Sequence, residues 1–302
     1  MKSVDIKYKS HTSRAVWAFT LTLGLPIFAL YVFFCIIPMF TSVRYGFFTV
    51  DYMDLARKTF IGLDNYKAIF ADASFWRALK NDALIVLGKE VIIVLFSVFF
   101  AVSLTRFRLK KCEVAFYRFI LYVPNILSVI IISAYWSRVF TAEYGLIAVL
   151  TGIKDINWMA ENPIGITIIV AGWCGIGYFM IVLISAINNV SKEIYEAAEV
   201  DGAGPVQQLI KITLPQVKNQ IIFMIINIIS TSLAGNMNLV LPLFGNNPDS
   251  YVMGTYVYYT QSTVNGLGKA NAAAVILMII SFVVCGTFNV VTDKISKAGD
   301  KA

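Results

Sequence analysis

The chain has 302 residues, 58% of them hydrophobic and only 14% charged, with a formal net charge of +7, a mean hydropathy of +0.72 and a pI near 9.1. A soluble domain normally carries about 25% charged residues to cover its surface, so this composition excludes an ordinary water-soluble globule and points to a membrane as solvent. The basic excess does not point to nucleic acid either, because the lysines and arginines flank apolar segments and form no aromatic-interleaved patch.

Residues 1–15 read as a disordered basic tail. It holds the only histidine, His11, and a lone histidine in such a tail is a poor metal or catalytic candidate. A bilayer core about 30 Å thick takes roughly 20 apolar residues per helix, and residues 16–38 form the first such segment. Its basic flank is signal-peptide-like, but the apolar run exceeds the usual 7–15 residues and lacks a small-x-small cleavage site, so an uncleaved anchor is expected.

An external segment follows over 39–81. Within it, FIGLDNYKAIFADASFWRALKN predicts a short amphipathic helix: Tyr66, Ile69 and Phe70, then after a break Phe75, Trp76 and Leu79, recur at helical spacing. These aromatics suit a membrane interface, and packing onto the bundle suits them equally. Residues 82–292 carry five further spans, at about 83–104, 117–137, 164–187, 217–240 and 271–291, with external loops at 138–163 and 241–270 and a tail over 293–302. The expected fold class is an all-α integral membrane protein of six spans.

Orientation follows from lysine and arginine, which accumulate on the cytoplasmic side. With the N-terminus inside, the inner segments hold 15 basic and eight acidic residues, while the outer segments hold nine of each. The whole excess charge therefore falls on one side, and both termini are expected in the cytoplasm. Cys35, Cys112, Cys174 and Cys285 show no paired spacing and predict neither disulfides nor a metal site.

Polar side chains inside spans are costly and default to function, although Ser, Thr and Asn also bridge helices. The fifth span is richest in them, and Asn227, Thr231 and Asn238, four to seven residues apart, share a helical stripe. Their amide and hydroxyl groups can exchange hydrogen bonds with a neutral polyol. Tyr135, Trp173 and Tyr178 offer aromatic faces for the C–H faces of sugars. Lys89 and Glu90 lie within the second span, where snorkelling or interhelical pairing is expected before any contact with a transported solute.

Between the fourth and fifth spans lies SKEIYEAAEVDGAGPVQQLIKITLP, residues 191–215. Ser191 is a good N-cap, and Glu193 in the first turn suits the helix dipole. Gly202 falls at C′, where a left-handed residue is wanted, and Pro205 fits the first position of a second helix ending before Leu214–Pro215. The result is a compact acidic helical hairpin on the cytoplasmic side.

EAAEVDGAGPVQQLIKITLP resembles the EAA motif, E-A-A-x-x-x-G followed after about nine residues by I-x-L-P, of permease subunits in type I ABC importers. Glu196, Ala197, Ala198, Gly202, Ile212, Leu214 and Pro215 stand at the matching positions, and Asp201–Gly202–Ala203 matches the fuller form of sugar permeases. GLDNYKAIF, WSRVFTAEYGLIAVL, INWMAENP and GWCGIGYFMIVLISAINNVSKEIYEAAEVDGA are likewise similar to MalF/UgpA-type carbohydrate permeases of MetI-like fold. The resemblance implies that the hairpin is a coupling helix docking into a separate ATPase, with Glu196 pairing to basic residues there and Gly202 allowing the close turn. It implies a second, MalG-like permease, two cytoplasmic ATPase subunits, an extracellular or periplasmic solute-binding protein and a carbohydrate solute, in a bacterial or archaeal plasma membrane. The family's Gly-Gly-Pro after the fifth span is replaced by Phe244-Gly245-Asn246-Asn247-Pro248, which weakens transfer of solute contacts. Glycerol-phosphate or polyol cargo therefore stays open.

GLGK at 266–269 lacks the spacing and terminal Ser/Thr of a phosphate-binding loop, so ATP and its Mg²⁺ are expected in partner subunits and no cofactor in this chain. No hydrolase or metalloenzyme signature is present, which argues against an enzyme. A self-contained secondary transporter or channel would call for charge relays across several spans or an inverted repeat, and neither is visible.

Overall fold

The computed structural model describes residues 14–50, 58–106 and 109–299. The expected tail lies outside them up to residue 13, and so do His11 and Arg108. The first helical stretch runs as α1 (Arg14–Tyr31), a π turn (Val32–Ile36) and α2 (Ile37–Tyr45), so it outlasts the expected end at residue 38. Pro38 does not stop it. The π turn immediately precedes the proline, and its closing bond from Ile37 N–H to Val32 O widens the helix where the ring would meet the carbonyl four residues back.

The external segment departs from expectation. An antiparallel hairpin, β1 (Phe48–Val50) against β2 (Lys58–Phe60), pairs Phe48 with Phe60 and Val50 with Lys58. The amphipathic stretch splits into α3 (Asp64–Phe70) and the opening turns of α4 (Ala73–Arg106). Phe75, Trp76 and Leu79 thus belong to a single 34-residue helix that continues as the second span. Asp72 makes the break, since its carboxylate caps α4 by accepting from Ser74 N–H at 2.9 Å.

The expected third span is not one rod. α5 (Lys111–Ile126) and α6 (Val129–Val139) meet at 98°, through extended backbone at Leu127 and Ser128. Pro124 deprives the last turn of α5 of an N–H, while the unbroken apolar composition conceals the corner. Short α7 (Leu146–Thr151) and α8 (Trp158–Glu161) lead to α9 (Pro163–Asn188), started by Asn162 accepting from Gly165 N–H. The hairpin comprises α10 (Lys192–Val200), α11 (Pro205–Gln208), a second π turn (Leu209–Thr213) and α12 (Leu214–Gln216). The fifth span divides at Asn236 into α13 (Lys218–Gly235) and α14 (Met237–Phe244). α15 (Met253–Gln261) and α16 (Gly266–Gly299) complete the chain, α16 running well beyond the expected end at 291.

Among the described residues, four helices are long and apolar enough to cross a membrane, within Phe19–Tyr45, Ala73–Arg106, Pro163–Asn188 and Gly266–Phe288. Counting each bent pair, Lys111–Val139 and Pro205–Leu233, as one span gives six. The core sits where α4, α9 and α13 meet, around Ile93, Ala101, Met180, Leu183, Met224 and Ile228. α5 crosses α9 so closely at Gly177 that a Cβ there would lie 2.1 Å from the Leu121 carbonyl oxygen. Interhelical contact without side chains between is how helices associate in lipid, where the solvent supplies no hydrophobic drive.

Candidate functional site

The hairpin is built by local rules. Ser191 Oγ accepts from Glu193 N–H at 3.3 Å and caps α10. At the other end Ala203 N–H donates to Ala198 O at 2.8 Å and Gly202 N–H to Glu199 O at 3.1 Å, a complete Schellman motif with Gly202 at φ +80°. Pro205 opens α11 as expected. The second arm, however, does not stop before Leu214–Pro215. The π turn, closed by Leu214 N–H to Leu209 O, lets the helix pass Pro215 and reach Gln216, the same solution as at Pro38.

Glu196, Ala197, Asp201, Gly202 and Pro215 are exposed; Ala198, Ile212 and Leu214 are half-buried. Val200 (89% exposed) and Val206 (69%) flank the turn, so the acidic arm carries an uncovered apolar tip. Behind it the hairpin is anchored by polar side chains. Tyr195 is buried, its hydroxyl 3.1 Å from Thr213 Oγ1, and the Arg106 guanidinium lies 3.7 Å over its ring. Arg106 Nη2 also donates to Gln208 Oε1 at 2.8 Å, and Gln208 Nε2 to Ala203 O at 3.0 Å. Arg106 had figured in the sequence only as an inner-side charge. The one available signal was Tyr195, the sole aromatic in 191–215; its partner is 89 residues away and not legible.

A cavity of about 510 Å³ lies between α4, α9, α13, α14 and the α5–α6 corner. Asn227, Thr231 and Asn238 all line it, with Asn125, Ser232 and Asn236 adding further amide and hydroxyl groups. Tyr135, Trp173 and Tyr178 do not. Tyr135 is 58% exposed on α6, Trp173 packs edge-on against Trp136 at 5.5 Å, and Tyr178 packs edge-on against Phe179 at 4.9 Å. Aromatic type was visible in the sequence, but the corner at 127–128 decides which face of α6 turns inward.

Lys89 also lines the cavity, donating from Nζ to Asn236 Oδ1 at 2.8 Å. Asn236 Nδ2 in turn donates to Asp82 Oδ1 at 2.8 Å, and Asp82 Oδ2 accepts from Met253 N–H at 2.6 Å. Lys89 thus pairs between helices, one of the two expected arrangements, while also facing the cavity. Neither carboxylate oxygen of Glu90 has a hydrogen-bond partner among the described residues. The relay fastens the break in the fifth span to α4 and to the start of α15.

A family model described as binding-protein-dependent transport system inner membrane component matches residues 93–297, more than half of the chain. The chain belongs to this family. The match takes in the hairpin and every cavity-lining residue named above except Lys89. This inner membrane component is 29% identical over 263 residues to the probable ABC transporter permease protein YurN of Bacillus subtilis, across 84% of this chain and 88% of that protein. It is 27% identical to the diacetylchitobiose uptake system permease protein NgcF of Streptomyces coelicolor, across 90% and 81% of the two chains. With the arabinooligosaccharides transport system permease protein AraP of Halalkalibacterium halodurans it shares 30% identity, across 75% and 73%. A solved bacterial ABC transporter involved in import of the acidic polysaccharide alginate contains a chain of the same fold, with TM-score 0.81 and 20% identity, covering 93% of this chain and 97% of that one.

The end of this inner membrane component remote from the hairpin is tied by charge. Asp72 accepts from Lys269 Nζ at 2.7 Å and from the Tyr256 hydroxyl at 2.9 Å, linking α3–α4, α15 and α16. Partial burial pushes the Asp72 carboxyl up, but the bonds from Lys269, Tyr256 and Ser74 N–H outweigh it and hold the group below its ordinary range. Arg77 pairs with Asp249 at 2.6 Å, and Asn81 Nδ2 donates to the carbonyls of Asp249 and Tyr251 at 3.0 and 2.8 Å.

Proposed function

We propose that this chain is a membrane-spanning permease subunit of a binding-protein-dependent, ATP-driven importer for a sugar or oligosaccharide. The observation that carries the reading is the hairpin: a capped acidic helix ending in a Schellman turn, with Glu196, Asp201, Val200 and Val206 turned outward, joined to a helix that leads into the wall of a polar intramembrane cavity. Relatives that carry diacetylchitobiose and arabinooligosaccharides, and a fold shared with an alginate importer chain, support the carbohydrate class. Two ATPase subunits close on ATP and displace the hairpins, and a second permease subunit supplies the other half of the pathway. A solute-binding protein delivers cargo to the outer loops. Asn227, Thr231 and Asn238 present neutral donors and acceptors to the passing hydroxyls, and the Lys89 ammonium, held by Asn236, lies on the same wall. Nucleotide shifts the inward–outward equilibrium only through its different affinity for the two states.

Gly202→Asp tests the reading. A Cβ at Gly202 meets nothing within 4 Å in this chain, and aspartate tolerates the left-handed conformation better than most residues, so folding and membrane insertion should survive. The added carboxylate meets the docked ATPase. ATP-dependent uptake of the cargo in cells or proteoliposomes should fall at least tenfold at unchanged protein level; uptake at the unsubstituted rate would refute a coupling role for the turn.

A further inference from the structure

Resting on that reading, we propose that Arg106 is the positioning residue that makes α4 follow the hairpin, so that force delivered at residues 191–216 reaches the cavity wall through the second span as well as through the covalently attached fourth and fifth. The argument begins with connectivity. α9 enters the hairpin at Asn188 and α13 leaves it at Lys218, so those two helices move with it by continuity of the chain. α4 has no such continuity, yet it supplies Lys89 and Ile93 to the cavity.

Arg106 closes that gap. It is the last residue of α4, and its guanidinium both stacks on Tyr195 in the first arm of the hairpin and donates to Gln208 in the second. One flat cation therefore holds both arms. Tyr195 and Gln208 are themselves fixed, by Thr213 and by the Ala203 carbonyl, so the hairpin side of the contact is rigid. On the other side α4 is an uninterrupted helix. From Arg106 to Lys89 it spans 17 residues, or about 26 Å at 1.5 Å per residue, with neither proline nor break to absorb a displacement.

The chemistry selects arginine. A guanidinium is planar, stacks face-on over an aromatic ring and keeps in-plane N–H groups free for a carbonyl-type acceptor. An ammonium at the same place can approach the ring or Gln208 Oε1, but it lacks the flat fork that serves both at once. Lysine should therefore preserve the charge and only part of the link.

Two measurements test this. In the full chain with Cys35, Cys112, Cys174 and Cys285 replaced by serine, nitroxide labels at Trp76→Cys and Val200→Cys report the hairpin against the far end of α4; both positions are exposed. With Arg106 present a single narrow distance distribution is expected. Arg106→Ala should at least double its width, and Arg106→Lys should fall between. In the assembled transporter, with Cys174 retained as the only cysteine of this chain, alkylation by N-ethylmaleimide reads the cavity that Cys174 lines. ATP, Mg²⁺ and vanadate should change its rate at least threefold with Arg106 present. Arg106→Ala should cut that response by at least half without removing it, since α9 and α13 still follow the hairpin, while the ATPase still co-purifies, and Arg106→Lys should fall between. An unchanged distance distribution, or a full nucleotide response, in Arg106→Ala overturns the proposal. If the chain with Arg106 shows no nucleotide response and recovers no ATPase, the importer reading fails instead, and the label distances still decide the Arg106 contact.

Discussion

Asp82 has 1% of its surface exposed, and both of its oxygens are occupied, one by Asn236 and the other by the backbone N–H of Met253. Asn236 is engaged at both ends of its amide, because its carbonyl takes the Lys89 ammonium. A buried carboxylate tolerates its desolvation only when donors surround it, and removing it leaves those donors with nothing to bind. Asp82→Ala should therefore cost about 1–3 kcal/mol for each buried donor left unsatisfied. Asp82→Asn keeps an acceptor for one donor and should cost less. Thermal unfolding of the detergent-purified protein reads both, and a midpoint for Asp82→Ala within a degree of the parent would show that the relay adds little. The same network is why Asn236 is more than a pathway candidate: it lines the cavity while holding the fifth span at its break.

Helices α5 and α9 meet where Gly177 faces the Leu121 carbonyl, and the neighbour is backbone, which cannot rotate out of the way. Gly177→Ala must push the two helices apart or bend one of them, so a loss of about 1–3 kcal/mol is expected, as for overpacking elsewhere, despite the better helix propensity of alanine. A lower unfolding midpoint would bear this out; a rise would mean that the crossing is looser than the distance indicates. Elements of this kind mark what could be read from the chain and what could not. Apolar length announced the spans, and local capping chemistry announced Ser191, Gly202 and Pro205, since each acts within a turn of its own position. Pro215 was misleading for a local reason: a proline normally ends a helix, yet a five-residue π turn just before it absorbs the ring, as another does before Pro38. The corner at 127–128 and the break at Asn236 are set by what packs around them, and apolar composition carries no trace of that. Asn227 and Thr231 were legible as a stripe because helical spacing puts them together on α13, whereas Asn238 reaches the same cavity from α14, beyond the break; Lys89, Asn236 and Arg106 acquire their roles from partners more than 80 residues away.

Across the whole molecule, one helix measures the separation of its two ends. Arg77 near the start of α4 pairs with Asp249, and Arg106 at its end holds the hairpin, 29 residues or about 44 Å away. That exceeds a hydrocarbon core of about 30 Å, so we expect the Asp249 loop and the hairpin on opposite faces of the bilayer. α9 makes the same measurement independently: it opens at Pro163, just beyond the loop that bears Asp155, and closes at Asn188, just before α10. We expect the hairpin on the cytoplasmic face, because the segments on its side hold all of the net excess of lysine and arginine. In a chain without its four native cysteines, Asp249→Cys and Asp155→Cys should react with an impermeant maleimide added to intact cells, and Asp201→Cys only after the membrane is opened. All three positions are exposed, so accessibility within the protein does not confound the result. Labelling of all three from outside would contradict the length argument, whereas a clean inversion would spare the fold and remove the ATPase from reach of the hairpin.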